Sequence, residues 1–154
     1  MGKPQQAFEQ SIQIATSATT VEHCITDRAL MHQWLNPALR CEPVDDVWNT
    51  ELGGQSRFII QLPLLKPTLL STVVERSPGL IVWQFTGFFA GRDRWECQPN
   101  DTGTHLLNRF EFVPTNPLIA FGFNTFAAKW TKQDMEAQLK RLKQVAERQA
   151  LLKP

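Results

Sequence analysis

The spacing of the turn formers limits what this chain can become more than any other feature. Between Leu39 and Val113 they recur at Gly53-Gly54, at Pro63 to Pro67, at Ser77-Pro78-Gly79, at Gly91 and at Asn100-Asp101-Thr102-Gly103. The segments between them have the length of strands, and such close breaks leave no room for crossovers, so antiparallel pairing is favoured. The segments also alternate as half-buried strands do. In 55 to 62, Phe58, Ile60 and Leu62 share one face while Arg57 and Gln61 share the other; in 80 to 88, Ile81, Trp83 and Phe85 alternate with Val82, Gln84 and Thr86. In 92 to 98, Trp95 and Cys97 oppose Arg94, Glu96 and Gln98, and in 104 to 113, Leu106, Asn108, Phe110 and Phe112 oppose Leu107, Arg109 and Glu111. One face of the predicted sheet is therefore aromatic and aliphatic, with the charges mostly on the other.

Helical patterns flank this region. Residues 7 to 15 alternate as a first strand, with Phe8, Gln10, Ile12 and Ile14 on one side. Thr19 or Thr20 is placed to cap a short helix carrying Val21, Cys24 and Ile25, and a second short helix carries Leu30, Met31, Trp34 and Leu35 before Asn36-Pro37 stops it. After Pro114, Asn116 reads as an N-cap with Pro117 at the first helical position, and no proline follows until the last residue. A helix from 117 to about 149 would span on the order of 50 Å at ~1.5 Å per residue. Its second half is amphipathic along Met135, Leu139, Leu142 and Val145; its first half, with Phe121, Phe123, Phe126 and Trp130, is apolar nearly all round. Such a half is buried on several sides or borders a ligand opening. Gly122 within it costs about 1 kcal/mol against Ala, which implies a bend or a close approach.

A chain of 154 residues fits one α+β domain covering 1–154, large enough to bury roughly 70% of the surface that it exposes unfolded. With 16 basic and 15 acidic residues, and the cluster Lys140, Arg141 and Lys143 interleaved with Glu136 and Glu147, no nucleic-acid partner is implied. Cys24, Cys41 and Cys97 are odd in number and widely spaced, which suits a reducing compartment. The start, MGKPQQAFEQ, lacks the apolar stretch of a signal peptide, and no apolar run is long enough to span a bilayer. A cytoplasmic location without an integral membrane segment is expected.

The order of strand, two short helices, a meander of about six strands and one long C-terminal helix resembles the START-like, or polyketide cyclase/dehydrase-like, helix-grip superfamily. The stretch TTVEHCITDRALMHQWLNPALRCEPVDD is similar to that family's opening segment, in which an aspartate closes the first short helix (here Asp27) and a tryptophan ends the second (here Trp34). VVERSPGLIVWQF is similar to its strand, proline-containing turn and strand, and GTHLLNRFEF to its penultimate strand. The resemblance implies a curved antiparallel sheet of six to seven strands wrapped around the long helix, with a cavity between them. It also implies a lipid, isoprenoid, quinone, pigment or polyketide-like aromatic as guest. The alternatives are a cyclase or dehydratase, and a protein-interaction module without a ligand, docking through the apolar start of the last helix.

Catalytic patterns are sparse. No HExxH, GxSxG, glycine-rich phosphate loop or paired-cysteine motif occurs, so neither metal nor cofactor is expected. His23, His32 and His105 fall off the apolar stripes or into the outward phase and read as surface residues. Asp93 shares the phase of Trp95 but lies beside Gly91, so a turn or cap role is expected of it; the phase of Glu75 is ambiguous. Gln10 and Asn108 are polar residues in the inward phase, each needing a partner because an unpaired buried amide costs about 1 to 3 kcal/mol. Asp93, Gln10 and Asn108 are the catalytic candidates. The candidate ligand-binding set is Phe58, Ile60, Trp83, Phe85, Trp95, Asn108, Phe110, Phe121, Phe126 and Trp130. The chain has no tyrosine, a hydroxyl that cyclases of this superfamily often place in the pocket, which lowers the enzymatic reading.

Overall fold

A computed structural model describes residues 6–61, 66–87, 89–114 and 128–152. The elements run β1 (Gln6–Ile14), α1 (Ala18–Thr26), α2 (Arg28–Trp34), β2 (Leu39–Pro43), β3 (Gln55–Ile60), β4 (Thr68–Ser77), β5 (Leu80–Thr86), β6 (Phe89–Asn100), β7 (Gly103–Pro114) and α3 (Ala128–Leu152). The seven strands form one curled antiparallel sheet in the order β1-β7-β6-β5-β4-β3-β2. Strands β2 to β7 follow the predicted meander, and β1 closes it by pairing with β7, Gln10 opposite Asn108. The α+β helix-grip expectation holds.

Each helix buries the stripe that its spacing implies. Val21, Cys24 and Ile25 of α1, Leu30, Met31 and Trp34 of α2, and Leu139, Leu142 and Val145 of α3 meet Ile14, Val73, Ile81, Trp83, Trp95, Cys97 and Leu106 of the sheet in one core, and Met135 of α3 is buried as well. Ser17, rather than Thr19 or Thr20, caps α1: its Oγ accepts the Thr20 N–H at 3.2 Å, while Thr20 itself is buried. Asp27 ends α1 and caps α2 through the Leu30 N–H at 2.9 Å, so one carboxylate sets the corner between the two helices. Helix α3 is tied to the preceding elements by Arg141 Nε to the Trp34 carbonyl (2.9 Å), Asn36 Nδ2 to Asp134 Oδ1 (2.7 Å) and Lys143 Nζ to the Gln13 carbonyl (2.8 Å). The predicted cap Asn116, with Phe121, Gly122, Phe123 and Phe126, lies outside the described residues. No helix among the described residues is long and apolar enough to cross a membrane.

Two expectations about the strands are corrected. Gly91 does not mark a turn; it lies within β6, opposite Phe112 and Phe85. What it supplies is space, because a Cβ there would run into the Glu111 carbonyl and the Phe112 side chain. Gly91→Ala is therefore expected to lower stability by roughly 1–3 kcal/mol through overpacking, read as a lower urea midpoint with unchanged slope. The ambiguity at Glu75 has its cause in a bulge between Val73 and Glu75, which breaks the alternation. Beyond the bulge Glu75 is exposed and pairs with Arg94 at 3.5 Å across the outer face.

Candidate functional site

Strand register sets side chains from distant parts of the chain in rows across the concave face. One row holds Phe8, Phe110, Asp93, Trp83 and Val73 on β1, β7, β6, β5 and β4. The next holds Gln10, Asn108, Trp95 and Ile81. On the other side of Asp93 lie Phe112, Gly91, Phe85, Ser71 and Ser56. The aromatic rings contact one another along and between these rows. Phe85 and Phe110 stack at 5.4 Å, Phe8 and Phe112 at 6.0 Å, and Phe58 meets Trp83 edge-on at 6.4 Å. Phe8, Phe58, Leu69, Phe85, Phe110 and Phe112 make a second apolar cluster, joined to the core that holds the helices through Phe58.

Asp93 lies at the border of the two clusters, and its role differs from the turn or cap expected. Gly91 was taken for the turn before it, whereas β6 already begins at Phe89, so Asp93 lies inside the strand and faces inward. Its Oδ2 accepts the Trp95 indole N–H at 2.9 Å and its Oδ1 accepts Asn108 Nδ2 at 2.8 Å; Asn108 Nδ2 also donates to the Arg94 carbonyl at 3.0 Å. Burial raises the pKa of the carboxyl to about 6 and outweighs the two hydrogen bonds, which favour the charged form. Neither Arg92 nor Arg94 on the same strand offsets that; Arg94 is engaged on the outer face with Glu75 and Glu96. Asn108 is buried, and Gln10 across from it donates Nε2 to the Lys132 carbonyl of α3 at 3.2 Å. Gln10 Oε1 and Ser71 Oγ are buried without a hydrogen bond among the described residues.

The predicted site residues Trp83, Phe85, Trp95, Asn108, Phe110, Asp93 and Gln10 thus share one face within three neighbouring rows, and Phe58 joins them through Trp83. Ile60 is half-buried and pairs with Leu39 toward the far edge of the sheet, outside both apolar clusters. Phe121 and Phe126 lie outside the described residues, as does the side chain of Trp130. Phe8, Ser56 and Ser71 join the face without having been singled out as site residues. The alternation of β1 had placed Phe8 inward, but only the β1–β7 pairing brings it beside Phe110 and Phe112. A concavity of about 410 Å³ opens at this end of the sheet, between Phe85, Gly91 and Phe112 of the inner face and Gln84, Arg92 and Glu111 of the outer.

The chemistry open to this face is narrow. Burial pushes the Cys41 thiol up to about 11 and the Cys97 thiol up to about 12, so neither is a thiolate nucleophile near neutral pH. His32 is exposed and its Nε2 accepts the Cys41 N–H at 3.1 Å, so it serves β2 rather than the concave face. Among the described residues no group of His, Cys, Asp or Glu is arranged to hold a metal ion. What remains among the described residues is an aromatic surface with the Asp93 carboxyl, the Asn108 and Gln10 amides and the Ser56 and Ser71 hydroxyls set into it.

A family described as polyketide cyclase / dehydrase and lipid transport matches residues 5–147. Among solved structures, the chain is similar to the Zhui aromatase/cyclase from a Streptomyces species, with 15% identity, a TM-score of 0.75 and 96% of each chain covered. A protein of unknown function from Staphylococcus aureus aligns with 14% identity and a TM-score of 0.73, over 97% of this chain and 98% of that one. Ara h 8.0201 aligns with 11% identity and a TM-score of 0.67, over 93% and 98%. At these identities the structures share the fold. No curated protein matches the chain by sequence.

Proposed function

Because the chain belongs to the polyketide cyclase / dehydrase and lipid transport family, we propose that it binds a small hydrophobic molecule, a lipid, isoprenoid, pigment or polyketide-like aromatic, against the concave face of its sheet. The observation that carries this reading is the aromatic cluster of Phe8, Phe58, Phe85, Phe110 and Phe112 on the concave face, which adjoins the core that holds the helices through Phe58 and Trp83. Ligand sites are mostly apolar clefts of about 300–1,000 Å³ with a few placed polar groups. Trp83, Phe85, Phe110 and Phe58 would supply the apolar walls, and Asp93, Asn108 and Gln10 the polar groups.

Native mass spectrometry of freshly purified protein tests the reading. A bound adduct of a few hundred daltons, removed by organic solvent and restored by a matching compound, is the expected result. No adduct, combined with no binding from a panel of lipids and aromatics, would sink it.

A second reading, a cyclase or dehydratase, is favoured by one observation: Asp93 is an interior carboxyl whose pKa of about 6 suits proton exchange near neutral pH. In that case Asp93→Asn is expected to abolish turnover of a substrate that it still binds. Unchanged turnover in Asp93→Asn, Asn108→Ala and Gln10→Ala would end it.

A further inference from the structure

The hydrogen bonds of the carboxyl and amide cluster run in one direction. Asn108 directs its NH₂ at Asp93 Oδ1 (2.8 Å) and at the Arg94 carbonyl (3.0 Å). Both partners are acceptors, so the amide cannot be turned the other way, and its Oδ1 is the atom left over. Gln10 is oriented by the same logic: Nε2 faces the Lys132 carbonyl (3.2 Å), and Oε1 stays buried with no donor among the described residues. Trp95 has a single N–H, and Asp93 Oδ2 takes it. Each carboxyl oxygen of Asp93 then holds one hydrogen bond and keeps room for another. The cluster is rich in acceptors that its own donors leave unmatched. The other polar groups of the face are the Ser56 and Ser71 hydroxyls on β3 and β4 and the Trp83 indole on β5, whose residue lies opposite Asp93.

An unmatched buried acceptor is costly, and the guest is what can satisfy it. A ketone, ester or ether oxygen cannot, because it brings only lone pairs to these acceptors, and at pH 7.5 an ionised Asp93 offers it no proton. We propose that the guest carries a hydroxyl, phenolic or enolic, which donates to Asp93 with the Gln10 and Asn108 carbonyls beside it, so that this site selects hydroxylated aromatics over their ether or ketone counterparts. The inference rests on reading the face as a hydrophobic-ligand site and adds the polarity of the ligand's anchor.

Calorimetric titration of the full chain with 2-naphthol and with 2-methoxynaphthalene at pH 7.5 tests it. The two share the naphthalene ring, and the ether carries a methyl group in place of the hydroxyl proton, so it cannot donate. The expected result is tighter binding of 2-naphthol by about tenfold or more, the value of a buried hydrogen bond made rather than missed. In Asp93→Asn, where one oxygen becomes an NH₂ donor and Trp95 and Asn108 compete for the other, the preference should fall below about threefold. Gln10→Leu, a milder change on β1, two strands from Asp93, should reduce it partway. Equal binding of both compounds by the wild type overturns the donor inference and leaves the carrier reading standing. Preference retained in both variants also overturns it, since the selection would then arise elsewhere. No binding of either compound overturns the inference, and the adduct and panel measurements above then decide the reading beneath it.

Discussion

Trp34→Ala is expected to destabilise the chain by about 3–5 kcal/mol, the range for removing a large aromatic side chain from a core. The ring is 1% exposed and sits between α1, α2 and the sheet, edge-on to Trp95 with centroids 5.3 Å apart. Its indole N–H donates to the Cys24 carbonyl at 2.9 Å. That carbonyl belongs to the last turn of α1, where no further backbone N–H is available within the helix, so the indole serves as a C-terminal cap. Trp48 does the same for the Thr26 carbonyl at 2.8 Å. Truncation would thus open a cavity and remove the indole's hydrogen bond to the Cys24 carbonyl, a loss comparable with the whole stability of a small domain. Urea unfolding followed by far-ultraviolet circular dichroism measures it, and Trp34→Phe, which keeps a ring but loses the N–H, should cost roughly half as much. A loss below about 1 kcal/mol in Trp34→Ala would show that this corner does not bear on the fold.

The same tryptophan shows why so much of the architecture is legible in the sequence. Its spacing from Leu30 and Met31 defines a helical stripe, and that stripe is the one α2 buries. The alternation along β5, β6 and β7 is equally direct: Ile81, Trp83, Phe85, Trp95, Cys97, Leu106 and Phe112 all face the interior, as period two requires. Val82, in the outward phase, is nonetheless 1% exposed, because its register partners Glu75 and Arg94 pair with each other across the outer face. Ser17 was overlooked as the cap of α1 because Thr19 and Thr20 are also good capping residues, and local chemistry alone does not choose between them.

The candidate site was less legible, for a reason of a different kind. Asp93 and Asn108 lie 15 residues apart and Gln10 lies far earlier in the chain, and the three come together only through the register of β6 with β7 and of β7 with β1. The inward phase of each was readable; that they form one cluster was not. For Asp93 the reading went further astray because Gly91 has two physical uses. Glycine marks turns by its freedom of conformation, but at this position it marks the close approach of the Glu111 carbonyl, and the strand runs through it. Ser71 was hidden by the bulge at Val73 and Glu75, beyond which the phase of β4 reverses.

The ionisation of Asp93 should make stability fall as pH rises, the opposite of the trend that a salt-bridged carboxylate gives. Its pKa in the folded chain is about 6 against an ordinary value of 3.8, with burial as the largest cause and no charged side chain among the contributors. The native state therefore holds the proton more tightly than the unfolded one, and over the interval between the two values unfolding releases it. The stabilisation from the protonated form is complete below about pH 4 and is gone above about pH 7; the interval corresponds to about 3 kcal/mol at most. Other groups titrate in the same range, so the quantity to measure is the difference in unfolding free energy between wild type and Asp93→Asn at pH 4, 5, 6 and 7.5. The asparagine imposes a constant offset, because its single Oδ1 cannot accept from both Trp95 and Asn108, and the slope of the difference isolates the titration. Wild type should lose about 2 to 3 kcal/mol relative to the variant across that range. A flat difference would mean that the carboxyl is solvated when folded. A hydroxyl donating to the carboxylate favours its charged form, so saturation with 2-naphthol should shrink the fall in wild type and leave the variant's profile unaltered, which joins the energetics of the interior carboxyl to the guest that it is proposed to anchor.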